Sequence, residues 1–178
     1  INYIDTYQRS GLYQTPLPAT LGLEASGTVE GISSDVSRFK IGDRVAYTNI
    51  LDAYAGYSAV DQNKVVALPD GVSFNEGAAA MLQGCTAHYL SQSTYPIKKG
   101  DNCLIQAATG GVGLLLAQMA QNAGATVIGT VSTQEKAELA RAAGAEEVIL
   151  YCDTGFETEV MPITYGAGVN VVYDSVGK

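Results

Sequence analysis

The stretch CLIQAATGGVGLLLAQM, residues 103–119, decides the fold. An apolar run stops at a turn of small residues, Ala107 to Gly113, and an amphipathic segment follows. This is the pattern of a buried strand, a tight turn and a helix. A turn in that position points unpaired backbone N–H groups outward, and the helix dipole adds partial positive charge, so the pyrophosphate of a nucleotide is stabilised there. The dinucleotide fingerprint asks for Gly-x-Gly-x-x-Gly. Here Ala108 stands first, followed by Gly110 and Gly113. A methyl at Ala108 fits if its φ stays negative. Gly110 is where a side chain would block the phosphates, and Gly113 lets the helix approach the strand. On its glycines alone the turn is open between a packing turn and a phosphate cradle. The strand before it, the helix after it and the βα units behind it favour the nucleotide.

Outward from this stretch, the rhythm continues to the C-terminus. TVIGTV and EEVIL read as strands, TQEKAELARAAG as a helix and NVVYDS as a fourth strand, with Gly124 and Gly144 at helix C-terminal positions. Strand–helix alternation with apolar strands implies right-handed βαβ units on a parallel sheet. A complete doubly wound dinucleotide sheet has about six strands, so the sheet reads as unfinished and the chain as a fragment or proteolysed core. Residues 1–72 differ. They are punctuated by glycine and proline, with short strands expected at 26–32, 44–48, 57–61 and 64–67, as in a small barrel or sandwich. Ser73 with Glu76 forms a capping box before an alanine-rich helix. The fold class is α/β, a β-rich part followed by an incomplete doubly wound sheet.

The end of the second strand of the βα region selects the nucleotide. A carboxylate about 20 residues beyond the glycines would hold a ribose 2′-hydroxyl. That position falls near Val131, with Ser132 and Thr133 beside it and Lys136 in the next helical turn. A missing carboxylate removes repulsion towards a 2′-phosphate, and a hydroxyl with an ammonium adds attraction, which favours NADPH over NADH. The bland alternative is an ordinary exposed helix lysine.

Composition narrows the classes. Ten Lys and Arg against 18 Asp and Glu give a formal charge of −8, which disfavours nucleic acid as a main partner. No run of about 18 apolar residues is present, so no membrane span is expected. Three separated cysteines, Cys85, Cys103 and Cys152, and the single His88 fit a reducing, cytoplasmic setting without a disulfide framework or structural zinc.

The ordered motifs INYIDTYQRSGLY, LGLEASGTV, IGDRVAY, QAATGGVG, IGTVSTQEK and VVYDSVG resemble the zinc-independent, ζ-crystallin-like quinone oxidoreductases of the medium-chain dehydrogenase/reductase superfamily along the whole chain. In that family the turn is typically AAxGGVG, so Ala108 is the family's own form. The resemblance implies a partial GroES-like β barrel domain over 1–84 and a partial Rossmann domain over 85–178, with NADPH in the cleft between them and a homodimer in the full-length form. It implies hydride transfer from NADPH to a quinone. Zinc relatives carry Gly-His-Glu where this chain has Gly22-Leu23-Glu24, and their first cysteine ligand aligns with Asn2. Leu82 and Gln83 offer no thiolate or imidazole at the third ligand. A catalytic zinc needs three converging protein ligands, so none is expected, and Glu24 reads as a structural carboxylate.

By the same resemblance, Asn2, Asp5, Tyr7 and Tyr13 line the acceptor site, Asn2 near the nicotinamide and the phenols against a flat substrate. Asp5 has the alternative of capping a turn. Thr86 goes to the nicotinamide ribose or phosphates, and Gly110, Gly111 and Val112 to the pyrophosphate. Ser132, Lys136 and Tyr151 go to the 2′-phosphate, and Ser175 to the same sheet edge. Reduction of an activated C=C bond, or a non-catalytic nucleotide-binding role, stands beside quinone reduction.

Overall fold

The computed structural model describes every residue except 153, 154, 176 and 178. The chain forms two compact units, Ile1–Leu82 and Gln83–Lys178.

The first unit opens with a helix, α1 (Tyr3–Ser10). The strands β1 (Glu24–Thr28), β2 (Arg44–Thr48) and β3 (Val65–Ala67) then form an antiparallel sheet in sequence order. Glu24 pairs with Thr48 and Val45 with Ala67, so β2 is central. The strand expected at 57–61 does not form. Tyr57, Ser58 and Ala59 alternate in pattern, but all three are exposed and none of them pairs with a described strand. The strand expected at 26–32 begins two residues earlier, where Glu24 meets Thr48. Helix α2 (Phe74–Tyr89) begins at the capping box read from the sequence: Ser73 N–H donates to Glu76 Oε2 at 2.8 Å, and Glu76 N–H donates to Ser73 Oγ at 3.2 Å. A π-helical turn, Leu90–Thr94, follows.

The second unit carries β4 (Asn102–Ile105), α3 (Gly111–Asn122), β5 (Thr126–Val131), α4 (Gln134–Ala142), β6 (Glu147–Leu150), α5 (Phe156–Ile163) and β7 (Val171–Tyr173). The sheet is parallel, in the order β6-β5-β4-β7. Relative to β4 this is the 3-2-1-4 order of a doubly wound nucleotide fold. Alternation along the strands builds two layers. Cys103, Ile105, Val127 and Val131 face a cluster with Leu116, Ala117, Ala137 and Ala140 from α3 and α4. Leu104 and Ile128, with Ile149 of β6, face the other way, onto Val160 of α5. Helices therefore cover both faces, and the strands are apolar on both sides.

Small residues on α3 and α4 bring these helices close to the sheet, and Ala108 shares that constraint. It is fully buried, and its methyl stands over Gly129 of β5. A Cβ built at Gly129 would lie 2.9 Å from Ala108 Cβ. The methyl that replaces the fingerprint's first glycine is thus accommodated by a glycine on the neighbouring strand. Gly129→Ala is expected to destabilise by about 1–2 kcal/mol through overpacking. Adding Ala108→Gly should restore most of that loss, a coupling that a double-mutant cycle in urea reads directly.

Candidate nucleotide and acceptor site

The turn between β4 and α3 is shaped by Ala107, whose φ of 50° is left-handed. The conformation tucks its carbonyl inside the turn, where it accepts from Gly110 N–H at 2.8 Å. Ala108 carries no positive φ; its N–H continues the sheet ladder to Thr130 O at 3.1 Å. Gly110 is the N-cap of α3 in extended conformation, and among the described residues no side chain caps it. The first N–H groups of the helix, from Gly111, Val112 and Gly113, therefore have no intrahelical acceptor, the arrangement in which helix N-termini can bind anions. Gly113 packs where Ala107 O and the Ala108 backbone pass: a Cβ there would lie 2.5 Å from the carbonyl oxygen. Gln83 also belongs to this turn. A Cβ at Gly111 would fall 2.0 Å from Gln83 Oε1, so the Gln83 amide lies on the Gly111 backbone. The sequence offered no signal for that contact, because 28 positions separate the two residues.

At the end of β5, Lys136 Nζ donates to Ser132 Oγ at 3.1 Å. Thr133 caps α4 by accepting from Lys136 N–H at 3.3 Å. Tyr151 follows β6 and donates its N–H to Val131 O at 3.2 Å, which sets it beside the same strand end, with an exposed side chain. Ser175 follows β7, which pairs with β4. Gly110, Gly111, Val112, Ser132, Lys136, Tyr151 and Ser175 all stand at carboxyl ends of parallel strands, the edge where open α/β sheets bind ligands. Thr86 lies on α2, half-buried, one turn after Gln83. An uncapped helix N-terminus on a glycine turn, with an ammonium and a hydroxyl at the next strand end, fits a phosphorylated dinucleotide.

In the first unit α1 holds the other candidates. Asn2 and Asp5 are buried at 7% and 4% exposure. Asp5 reaches back to accept from Asn2 N–H at 2.7 Å, so it does cap the helix start. The Asn2 amide donates to Glu24 Oε1 at 2.7 Å, and Glu24 Oε2 accepts from Leu82 N–H at 2.6 Å. A carboxylate only accepts, so the Asn2 amide nitrogen must be the end that faces Glu24. Tyr7 and Tyr13 have ring centroids 5.3 Å apart, and Tyr3 meets Tyr7 edge-on at 5.2 Å. Tyr3 was not singled out in the sequence, although its spacing of four from Tyr7 on a helix is a readable signal. Tyr54 is the other addition: its hydroxyl donates to Asp5 Oδ2 at 2.5 Å. Burial of that hydroxyl, then the Asp5 bond, push the Tyr54 phenol up to about 12.

Leu23 is buried beside Glu24. Among the described residues no three His, Cys, Asp or Glu side chains converge as metal ligands. The three cysteines are unpaired, and burial raises the Cys103 thiol to about 11. Among the described residues no helix is long and apolar enough to cross a membrane.

The family model described as alcohol dehydrogenase GroES-like domain matches residues 1–99, and that described as zinc-binding dehydrogenase matches residues 111–178. A quinone oxidoreductase of Pseudomonas aeruginosa is 50% identical over 180 residues, covering 100% of this chain and 55% of the relative. A 2-haloacrylate reductase of a Burkholderia species is 41% identical, with 100% and 56% covered. The crystal structure of Escherichia coli quinone oxidoreductase complexed with NADPH superposes with a TM-score of 0.97 at 47% identity, covering 100% of this chain and 55% of that one. The chain spans about half the length of the curated relatives it matches. With the GroES-like sheet, the 3-2-1-4 parallel sheet and these two family matches in agreement, the chain belongs to the medium-chain dehydrogenase/reductase family.

Proposed function

We propose that the protein carrying this chain is an NADPH-dependent reductase of quinones that works without zinc. The observation that carries the reading is the Lys136–Ser132 pair at the end of β5, where an NAD-binding chain would present a carboxylate. The uncapped glycine turn would receive the pyrophosphate, and Tyr151 would flank the 2′-phosphate. The relative crystallised with NADPH supports the choice of cofactor.

When bound, NADPH supplies a hydride, which with one proton from solvent converts a quinone to its hydroquinone. The chain's own part is orientation, exclusion of water and hydrogen bonding to a carbonyl oxygen as charge develops there. Tyr7 and Tyr13 are the phenols assigned to that oxygen and to stacking on the flat ring. Asn2, Asp5 and Glu24 fix the helix that carries Tyr7. Thr86 and Ser175 are assigned to the cofactor. Leu23, an alkyl side chain at the usual zinc-ligand position, supports the zinc-free route. Unpaired cysteines support a reducing, cytoplasmic setting, and family membership supports a homodimer of the full-length protein; the acidic balance argues against nucleic acid as a partner.

Lys136→Ala tests the cofactor assignment. Losing one charge-assisted contact should lower the preference for NADPH over NADH by about 10- to 100-fold, read from kcat/KM with each cofactor, and wild-type turnover should be indifferent to chelators. Unchanged preference would overturn the assignment. A second reading, reduction of an activated C=C bond, is favoured by the similarity to a 2-haloacrylate reductase. A steady-state panel of quinones, enones and haloacrylates separates the two.

A further inference from the structure

We propose that Tyr54 is a positioning residue for the acceptor site, locking α1, and with it Tyr7 and Tyr13, through its hydrogen bond to Asp5. The inference deepens the reductase reading and rests on it.

Helix α1 has eight residues, and Asp5 is its only buried one. So short a helix is marginal by itself, and its apolar residues Ile4 and Tyr7 are only half-buried. Polar contacts therefore share in holding it. Asp5 Oδ1 is buried without a hydrogen-bond partner, so Oδ2 carries the anchoring. Of its two bonds, the one from Asn2 N–H is local to the helix start, and the one from the Tyr54 hydroxyl reaches across 49 positions.

Tyr54 is itself well placed to act as a fixed point. Its backbone N–H donates to Leu21 O at 2.9 Å, and Ala53 N–H donates to Gly22 O at 3.3 Å, so its loop is docked on the segment leading into β1. The ring lies against Gly22, where a Cβ would sit 2.5 Å from Tyr54 Cδ1. The same segment leads to Glu24, which accepts from the Asn2 amide. Two anchors thus fix the start of α1, Glu24 on Asn2 and Tyr54 on Asp5, and the Tyr54 loop is itself docked on the segment that leads into Glu24. The consequence reaches the phenols because Tyr13 N–H donates to Tyr7 O at 3.1 Å. A tilt of α1 moves both rings together. A misplacement of about 1 Å can cost about 100-fold in rate, so the lock acts on turnover more than on binding.

The test compares Tyr54→Phe, which keeps the ring on Gly22 and removes the hydroxyl, with Tyr54→Leu, which removes both. Three quantities are read in the protein carrying this chain: steady-state constants for the acceptor, thermal unfolding, and hydrogen exchange of the backbone amides of residues 3–10. Tyr54→Phe is expected to lower kcat by about 10-fold or more, leave the acceptor KM within about twofold, lower the unfolding midpoint by the few degrees that one lost hydrogen bond to a carboxylate implies, and speed exchange in α1. Tyr54→Leu should lower the midpoint further. Wild-type kcat and exchange in Tyr54→Phe would overturn the proposal, as would a kcat loss matched by an equal loss of midpoint in both variants. If the wild type turns over neither quinone nor enone, the functional reading fails, while faster α1 exchange in Tyr54→Phe still supports the lock and unchanged exchange still overturns it.

Discussion

Gly113→Ala is expected to destabilise the chain by about 3 kcal/mol and to abolish NADPH binding at concentrations that saturate the wild type. The reason lies in what the new methyl would meet. Its Cβ would lie 2.5 Å from Ala107 O and 2.9 Å from the Ala108 Cα and carbonyl carbon. All three are backbone atoms of the turn, so no side-chain rotation relieves the contact. Ala107 is already held left-handed to bring its carbonyl inward, and that carbonyl is occupied by Gly110 N–H. The turn can make room only by lifting away from α3, which swings the free N–H groups of Gly111 and Val112 off the position a phosphate would occupy. Gly110→Ala is the control. Its Cβ would meet a single atom, Ala107 O, at 3.2 Å, so stability should stay near wild type while cofactor affinity falls. Urea unfolding and a fluorescence titration of NADPH separate the two effects. Wild-type affinity in Gly110→Ala would show that the cradle does not hold phosphate.

The second unit was readable in the sequence because its signals are local. Each strand is a short apolar run, each helix begins at a cap or a glycine turn, and β5 falls where the residues place it, as does the α2 capping box in the first unit. The Lys136–Ser132 pair was readable for the same reason, since Ser132 follows β5 just before the Thr133 cap and Lys136 lies in the first turn of α4, four residues on. Two helices escaped. The start of α1 uses Asn2 and Asp5 in a capping box whose usual third residue is Glu or Gln, and α5 contains Pro162, which reads as a breaker although it falls near the helix end. The strand expected at 57–61 failed for the opposite reason, because alternation alone does not supply a pairing edge. What no local rule could show is how distant segments meet. Gln83 on Gly111, Tyr54 on Asp5 and Gly129 beneath Ala108 are products of the folded topology. The last of these reinterprets the fingerprint, since space lost at Ala108 is returned one strand away.

Glu24→Ala carries the second large effect, because one side chain holds two elements of the first unit together. Its two oxygens accept from the Asn2 amide at 2.7 Å and from Leu82 N–H at 2.6 Å, joining the start of α1 to α2 through β1. Hydrogen bonds to a charged acceptor contribute about 1.5–3 kcal/mol each; allowing for the half-buried setting, removal of both should cost about 3 kcal/mol. Glu24→Gln distinguishes this account from a simple loss of bulk. The amide matches the carboxylate in size, but only one of its ends accepts, so it can serve Asn2 or Leu82 and must turn an N–H₂ towards the other donor. It should therefore lose at least half as much stability as alanine does, whereas a packing role would leave it near wild type. Glu24→Asp keeps two acceptors and shortens the arm by one methylene, so it can reach one donor at hydrogen-bonding distance and should resemble glutamine. Thermal unfolding of the three variants gives the order Ala, then Gln and Asp, then wild type in increasing stability. Equal stability of Gln and wild type would show that the carboxylate does not bind both donors.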